Sequence, residues 1–326
     1  MSKEDIKDLK YFIDLQPKKE DFREAVLRGL SLPQKSISPK FFYDERGSRI
    51  FDKICNTPEY YVTRTEIALL NEIWQEIHSL VEAGSTVVEY GCGSSIKIKA
   101  LLAALPEPSQ YIAIDISRSH LISTANEIAL NYTNISVGAI CADFMEPIDW
   151  PEKAYAESLK RLAFFPGSTI GNQTPNEAAG FLDNVRHLVG DEGAFLVGVD
   201  LKKDFEILNR AYNDAEGCTA DFNLNLLYRI KNELDADIEI SGFSHKAFYN
   251  EELGRVEMHL VSGSQQVISI DGAEFSFEKG ESIHTESSHK YSKSDFIQLA
   301  EQSGFGVLKD WRDDNNLFSI YLMKAI

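Results

Sequence analysis

Cysteine is scarce in this chain, four residues in 326. Cys55, Cys92, Cys141 and Cys218 form no C-x-x-C pair, which excludes a zinc ribbon, a thioredoxin-like motif and a disulfide framework. The seven histidines fall in no H-E-x-x-H or facial-triad spacing, so no metal site is expected. Positive charge is also short: 33 Lys and Arg against 51 Asp and Glu leave a net charge of -18. Such a field repels phosphate backbones and anionic membrane surfaces, and neither nucleic acid nor a membrane is an expected partner. No apolar run approaches the roughly 20 residues of a membrane span. The opening Met1-Ser2-Lys3-Glu4-Asp5-Ile6-Lys7 carries charge where a signal peptide needs an apolar core, so a cytoplasmic location is expected. There is no internal repeat and no low-complexity segment.

What is present is a regular alternation of strand and helix. Ile67, Leu70, Trp74, Ile77 and Val81 recur at helical steps and predict one amphipathic helix, stopped by Gly84. The β-rich Thr86–Tyr90 runs into Gly91-Cys92-Gly93, and Ile96, Ala100, Leu101 and Ala104 predict the next helix. Further strands are expected at 111–114, 135–141, 162–165 and 194–199, with helices over 117–130 and 177–188 between them. This pattern predicts a doubly wound, mostly parallel α/β sheet. After Asp200 the pattern changes to short runs at 237–248, 255–261, 267–270 and 274–277, joined by Gly, Asn and Ser, which predict an inserted antiparallel sheet. A helix at 294–303 and β-rich runs at 305–311 and 317–323 then return to the first sheet as an antiparallel hairpin. Such a hairpin closes class I methyltransferase sheets, whereas nicotinamide-binding Rossmann domains usually lack it. The expected domains are 63–201 with 288–326 for the cofactor, and 8–62 with 202–287, an α+β unit, for the substrate.

The two-glycine turn lets a ligand approach the backbone. Ile96 holds the place of the third glycine of G-x-G-x-x-G, which counts against a dinucleotide. Asp115, ending the second strand, stands where an acidic residue bonds ribose hydroxyls; Asp143 is placed to accept from an adenine amino group, with Phe144 on the ring. Acidic residues at both strand ends fit S-adenosylmethionine, a cation-bearing nucleoside without phosphate, better than NAD. The plainer alternative is that both aspartates cap the segments that follow.

Three segments are too irregular for core periodicity: Phe42-Tyr43-Asp44-Glu45-Arg46-Gly47-Ser48, Pro58-Glu59-Tyr60-Tyr61-Val62-Thr63-Arg64-Thr65-Glu66, and Phe165-Pro166-Gly167-Ser168-Thr169-Ile170-Gly171-Asn172. With them the chain resembles, over nearly its whole length, the histidine-specific Nα-methyltransferases that make the trimethylated betaine precursor of ergothioneine. The resemblance implies a cofactor site of Gly91, Gly93, Lys97, Asp115, Asp143, Phe144 and Gly167. It implies a substrate site of Tyr43, Tyr60, Asn172, Tyr212, Met258, Glu286 and Ser288, with Tyr43 and Asn172 nearest the chemistry. Two positions depart from the family pattern: Cys92 stands between the glycines where serine is usual, and Ile98 replaces a polar residue after Lys97.

These residue types suit the expected substrate, L-histidine and its methylated forms. Asn172 has donor and acceptor faces for carboxylate and amine, and Tyr212 adds a donor to the carboxylate. Glu286 accepts an imidazole N–H while Ser288 serves the other nitrogen. Tyr43 orients the amine and helps its proton leave, and the faces of Tyr43 and Phe51 favour the cationic product. Each residue taken alone has a plainer reading: Tyr60 and Tyr61 as loop packing, Glu286 as a solvated carboxylate, Met258 as strand core, Asn172 as a turn residue. A monomer is expected, with the substrate held between the two domains. The rival readings are a relative acting on tryptophan or another amine, a non-catalytic histidine or S-adenosylmethionine binder, and a dehydrogenase.

Overall fold

A computed structural model of the protein describes residues 8–15, 22–93, 95–148, 150 and 160–326; the charged opening run Met1–Lys7 lies outside them. Its contacts divide the chain into two compact units. The first comprises the described residues of Met1–Lys18, Arg64–Leu201 and Tyr291–Ile326, and the second those of Lys19–Thr63 and Lys202–Lys290. Among the described residues no helix is long and apolar enough to cross a membrane.

The first unit is built on an eight-stranded sheet. Its strands are β1 (Tyr11–Asp14), β2 (Thr86–Tyr90), β3 (Gln110–Asp115), β4 (Ser136–Cys141), β5 (Arg161–Phe165), β6 (Ala194–Asp200), β12 (Phe305–Arg312) and β13 (Phe318–Ala325), in the order β1-β4-β3-β2-β5-β6-β13-β12. The first six run parallel, while β13 pairs antiparallel with both β6 and β12. This is the doubly wound sheet closed by an antiparallel hairpin that the sequence predicts, with one strand, β1, added at its edge. Helices on both faces explain why β2 is buried at every position and reads as a nearly continuous apolar run. Chain order reverses between β2 and β5, so the loop after β2 opens at the switch point where such sheets take their ligands. Helix α7 (Pro175–Val189) starts on a capping box of Thr174 and Glu177, and α10 (Lys293–Gln302) on one of Ser292 and Asp295.

Four sequence expectations need correction. Residues 11–14, assigned to the substrate domain, pair with β4 from Tyr11↔Gly138 to Asp14↔Cys141. Gly138 makes this possible, because a Cβ there would lie 2.2 Å from the Tyr11 ring. The single helix expected over 67–81 is two, α3 (Val62–Glu72) and α4 (Trp74–Leu80), broken at Ile73. Only 243–250 of the run from 237 forms a strand, since a 3-10 turn occupies Ile240–Gly242. The boundary at 288 cuts a strand, β11 (Ser282–His289), which stays with the second unit.

The second unit joins helices α1 (Phe22–Leu30), α2 (Glu45–Ile54), α8 (Phe205–Ala211) and α9 (Cys218–Glu233) to a three-stranded antiparallel sheet, β11-β8-β7, with β7 at Phe243–Asn250 and β8 at Arg255–Ser262. A hairpin of β9 (Gln266–Ile270) and β10 (Ala273–Phe277) turns on Asp271-Gly272, both at positive φ, as a two-residue hairpin turn requires. The Phe42–Ser48 motif has a structural task here. Asp44 Oδ1 caps α2 by accepting from Gly47 N at 2.7 Å, and accepts from Asn225 Nδ2 of α9 at 2.8 Å. A Cβ on Gly47 would lie 1.8 Å from the Phe42 carbonyl oxygen, so the turn admits only glycine.

Candidate active site

The loop after β2 brings the expected cofactor residues of the first unit together. Gly91 takes φ 72 and its amide donates to the Ile114 carbonyl at 2.9 Å, fixing the loop to the end of β3. A Cβ on Gly91 would stand 3.7 Å from the Phe144 ring, and one on Gly93 would meet nothing. Phe144 lies edge-on to Phe165 at 5.6 Å and to Tyr90 at 6.1 Å. Asp115 and Asp143 each accept a backbone N–H two residues on, from Ser117 at 2.7 Å and from Met145 at 3.0 Å, so the capping role weighed for them is present. Burial raises the Asp115 carboxyl against the pull of the Ser117 amide, and it also pushes up the Cys92 thiol, whose sulfur lies 4.0 Å from Asp115 Oδ2.

Two carboxylates complete this region without having been assigned a role from sequence. Glu66, the last residue of the second irregular motif, is fully buried; its two oxygens accept from Gly167 N at 3.0 and 2.9 Å, and Lys97 Nζ is 2.5 Å away. Glu89, the one acidic residue of β2, is pushed up to about 8 by burial, against a 2.5 Å bond from the Tyr111 hydroxyl and the charge of Lys97. Its signal was a glutamate inside a buried apolar strand. Lys97 thus has its charge met by Glu66, and the loop is flanked by Glu89 and Asp115 rather than by a phosphate-binding cation. Ile96 stands exposed, away from the close helix packing that a third glycine serves. These residues fit a cationic sulfonium nucleoside and not a pyrophosphate.

Gly167 takes φ +81 and Ser168 φ 56, and Ser168 Oγ accepts from Asp200 N at 2.9 Å, which ties the end of β5 to the end of β6. A Cβ on Gly167 would lie 3.3 Å from Lys97 Nζ. Asn172 ends the 3-10 turn that follows and is half-buried, in the first unit.

The other expected substrate residues gather in the second unit. Tyr43, 42% exposed, lies edge-on to Phe51 at 5.7 Å and to Phe222 at 5.5 Å; Phe51 is 6.2 Å from Tyr60, and Tyr60 is 6.3 Å from Tyr212. Burial holds the Tyr60 phenol well above its usual range, so it serves as a neutral group. Tyr61 takes a 2.5 Å bond from Lys203. Tyr212, expected to donate to the substrate carboxylate, donates to Ser288 Oγ at 2.9 Å.

Glu286 is buried, against the expectation for so polar a segment. The cause is a β-bulge: His284 pairs with His259 and Glu286 with Met258, so Thr285 is an extra residue. Its hydroxyl bonds Asn223 Oδ1 at 2.8 Å and the Met258 carbonyl at 3.0 Å. Across the bulge the strand changes phase, and Glu286 and Ser288 share the face of their partners Met258 and Val256, while His284 shares that of His259. Burial raises the Glu286 carboxyl to about 7 against the opposing charge of Lys290. On the other face Glu257, His259 and His284 converge as potential metal ligands, but they are already paired. Arg255 bonds Glu257 Oε1 at 2.8 Å, His259 bonds Oε2 at 3.0 Å, and His284 Nε2 donates to the Glu286 carbonyl at 3.0 Å.

Comparison with known proteins adds an independent finding. Residues 22–325 match the family described as histidine-specific methyltransferase, SAM-dependent. The histidine N-alpha-methyltransferase of Mycolicibacterium smegmatis is 36% identical over 309 residues, covering 93% of this chain and 94% of that protein. That of Mycobacterium tuberculosis is 35% identical over 305 residues, covering 92% and 94%. Ergothioneine biosynthesis protein 1 of Neurospora crassa is 28% identical over 299 residues, 89% of this chain but 33% of that much longer protein.

Proposed function

The chain belongs to the histidine-specific, S-adenosylmethionine-dependent methyltransferases, and from that premise we propose that it methylates the α-amino nitrogen of L-histidine three times in succession, giving Nα,Nα,Nα-trimethyl-L-histidine (hercynine) for ergothioneine biosynthesis. The observation that carries the substrate assignment is the buried Glu286, standing with Ser288 on one face of β11. A carboxylate and a hydroxyl so placed reward a ring with two nitrogens.

On this reading the first unit binds the cofactor through Gly91, Gly93, Lys97, Asp115, Asp143, Phe144 and Gly167. The second binds histidine through Tyr43, Tyr60, Tyr212, Met258, Glu286 and Ser288, with Asn172 taking the carboxylate and amine. Bound S-adenosylmethionine supplies an electrophilic methyl group. The chain's own residues must select the neutral amine, which in peptides titrates near pH 8, because only its lone pair can attack. As the N–C bond forms the C–S bond breaks, and each of the first two products must lose a proton before it can react again. Tyr43, directly or through water, orients the amine and passes that proton outward; holding the amine at attack distance contributes more to the rate than any strong base. The third product is a fixed cation, which the faces of Tyr43 and Phe51 favour by roughly 0.5 to 2 kcal/mol each. The protein acts as a monomer in the cytoplasm.

Mass spectrometry of the protein with S-adenosylmethionine and an equimolar mixture of the twenty amino acids tests this. The expected result is gain of one, two and finally three methyl groups on histidine alone. Accumulation of the monomethyl product would overturn successive transfer, and methylation of tryptophan would overturn the role of Glu286 and Ser288.

A further inference from the structure

Ser288 is held more closely than a serine lining a pocket needs to be. Its Oγ accepts from the Tyr212 hydroxyl at 2.9 Å and from Lys290 Nζ at 2.8 Å, and the same Nζ donates to the Tyr212 hydroxyl at 3.0 Å. All three side chains are buried. A hydroxyl oxygen has two lone pairs and one hydrogen, so two accepted bonds fill its acceptor side and leave it able only to donate. Two residues earlier on the same face, Glu286 can only accept once it is ionised. The strand spacing sets the two positions about 6.5 Å apart. With Glu286 ionised, that is an acceptor beside a donor, facing whatever lies between them.

Neutral imidazole carries one N–H and one nitrogen lone pair. Imidazolium carries two N–H groups and no lone pair, and indole carries an N–H alone. Resting on the histidine reading above, we infer that Lys290 is a positioning residue that gives the imidazole subsite its polarity: it occupies Ser288 as an acceptor, so that Ser288 donates to the unprotonated ring nitrogen while Glu286 takes the N–H. The same ammonium acts on the other half of the pair, since its charge opposes the burial that drives Glu286 toward protonation. Without Lys290, Ser288 is free to rotate and accept, Glu286 moves toward the acid form, and both halves lose their sense.

Two analogues of histidine read this out, pyrrol-2-ylalanine and pyrrol-3-ylalanine, each of which keeps one ring N–H and lacks the second nitrogen's lone pair. The intact chain is assayed for kcat/KM on each and on histidine, and for S-adenosylhomocysteine affinity by calorimetry. The wild type should prefer histidine over the better pyrrole by about 100-fold, as sites built to bond a polar group reject the isostere lacking it. Lys290→Met should reduce that preference to about fivefold or less by slowing histidine far more than the pyrroles, with cofactor-product affinity within about twofold of wild type. Lys290→Arg, which keeps charge and donors, should retain most of the preference. Ser288→Ala should reduce it as far as Lys290→Met does, which keeps the proposal testable if Lys290→Met folds poorly, and the double variant should lose no more. Equal losses on histidine and pyrroles, or a preference retained in Lys290→Met or in Ser288→Ala, would overturn the role of Lys290. A wild type that does not methylate histidine at all would instead overturn the substrate reading.

Discussion

Glu66 and Glu286 are both buried carboxylates in the field of a lysine, one in each unit, and they are satisfied differently. Glu66 receives the Gly167 amide on both oxygens and Lys97 at 2.5 Å. Glu286 has the charge of Lys290 set against its burial, and burial prevails, leaving the carboxyl at about 7. A carboxylate whose bonds are completed inside the protein is part of the frame, fixing the Gly167 turn against α5 (Ser95–Ala104), which carries Lys97. One left paying for its desolvation is poised for a ligand that brings the missing donor. Burial alone would have classed the two together; only the inventory of bonds separates them.

The largest effect should come from removing the framed carboxylate. Glu66→Ala leaves the half-buried Lys97 and Gly167 amide without their partner and should cost about 3 to 5 kcal/mol in denaturant unfolding. Glu286→Ala should stay within about 1 kcal/mol of wild type in the same experiment, and a comparable loss at both positions would erase the distinction. Next in size, Glu286→Ala should weaken histidine binding by about 100-fold, the worth of a charged hydrogen bond. Calorimetry should find S-adenosylmethionine affinity within about twofold, and equal loss of both affinities would contradict the placement of Glu286. A further effect of similar size is in pH. Because the folded carboxyl of Glu286 lies above its ordinary value of 4.5, the folded state holds that proton more tightly. Its contribution to stability is complete below the ordinary value and is lost as pH rises through about 7. Glu286→Gln removes this titration, so the variant should gain on wild type by roughly 2 to 3 kcal/mol between pH 4 and pH 8. A flat difference would mean that Glu286 ionises normally in the fold.

The first unit was largely legible in the sequence because its signals are local. Gly91-Cys92-Gly93 follows its strand directly, and Asp115 and Asp143 end theirs. What was missed there depends on distant pairing: Tyr11 finds its place over Gly138, and Glu66 acquires its role from Gly167, a hundred residues later. In the second unit the motifs named the residues, but their surroundings could not be read. Ser282–His289 is polar at almost every position and showed no strand period, since its burial comes from β8 and from Asn223 on α9. Helix α9 did carry a signal, with Phe222, Leu226, Leu227 and Ile230 at helical steps, in keeping with the α+β unit expected there. Nothing in the sequence marks Lys290 for burial; its place comes from Ser288 and Tyr212, which it bonds.

Thr285 gives β11 two reading frames. In an uninterrupted ladder His284 and Glu286, two apart, would point the same way, and the glutamate would join Glu257 among the histidines. The extra residue offsets the second half of the strand by one, so that one backbone position, fastened by a single hydroxyl to Asn223 and Met258, decides which side of the sheet carries Glu286 and Ser288. The two faces can consequently diverge independently: substitutions on the Glu286 side need not disturb the Arg255–Glu257–His259 network behind it, while an insertion or deletion within β11 would exchange the two faces wholesale.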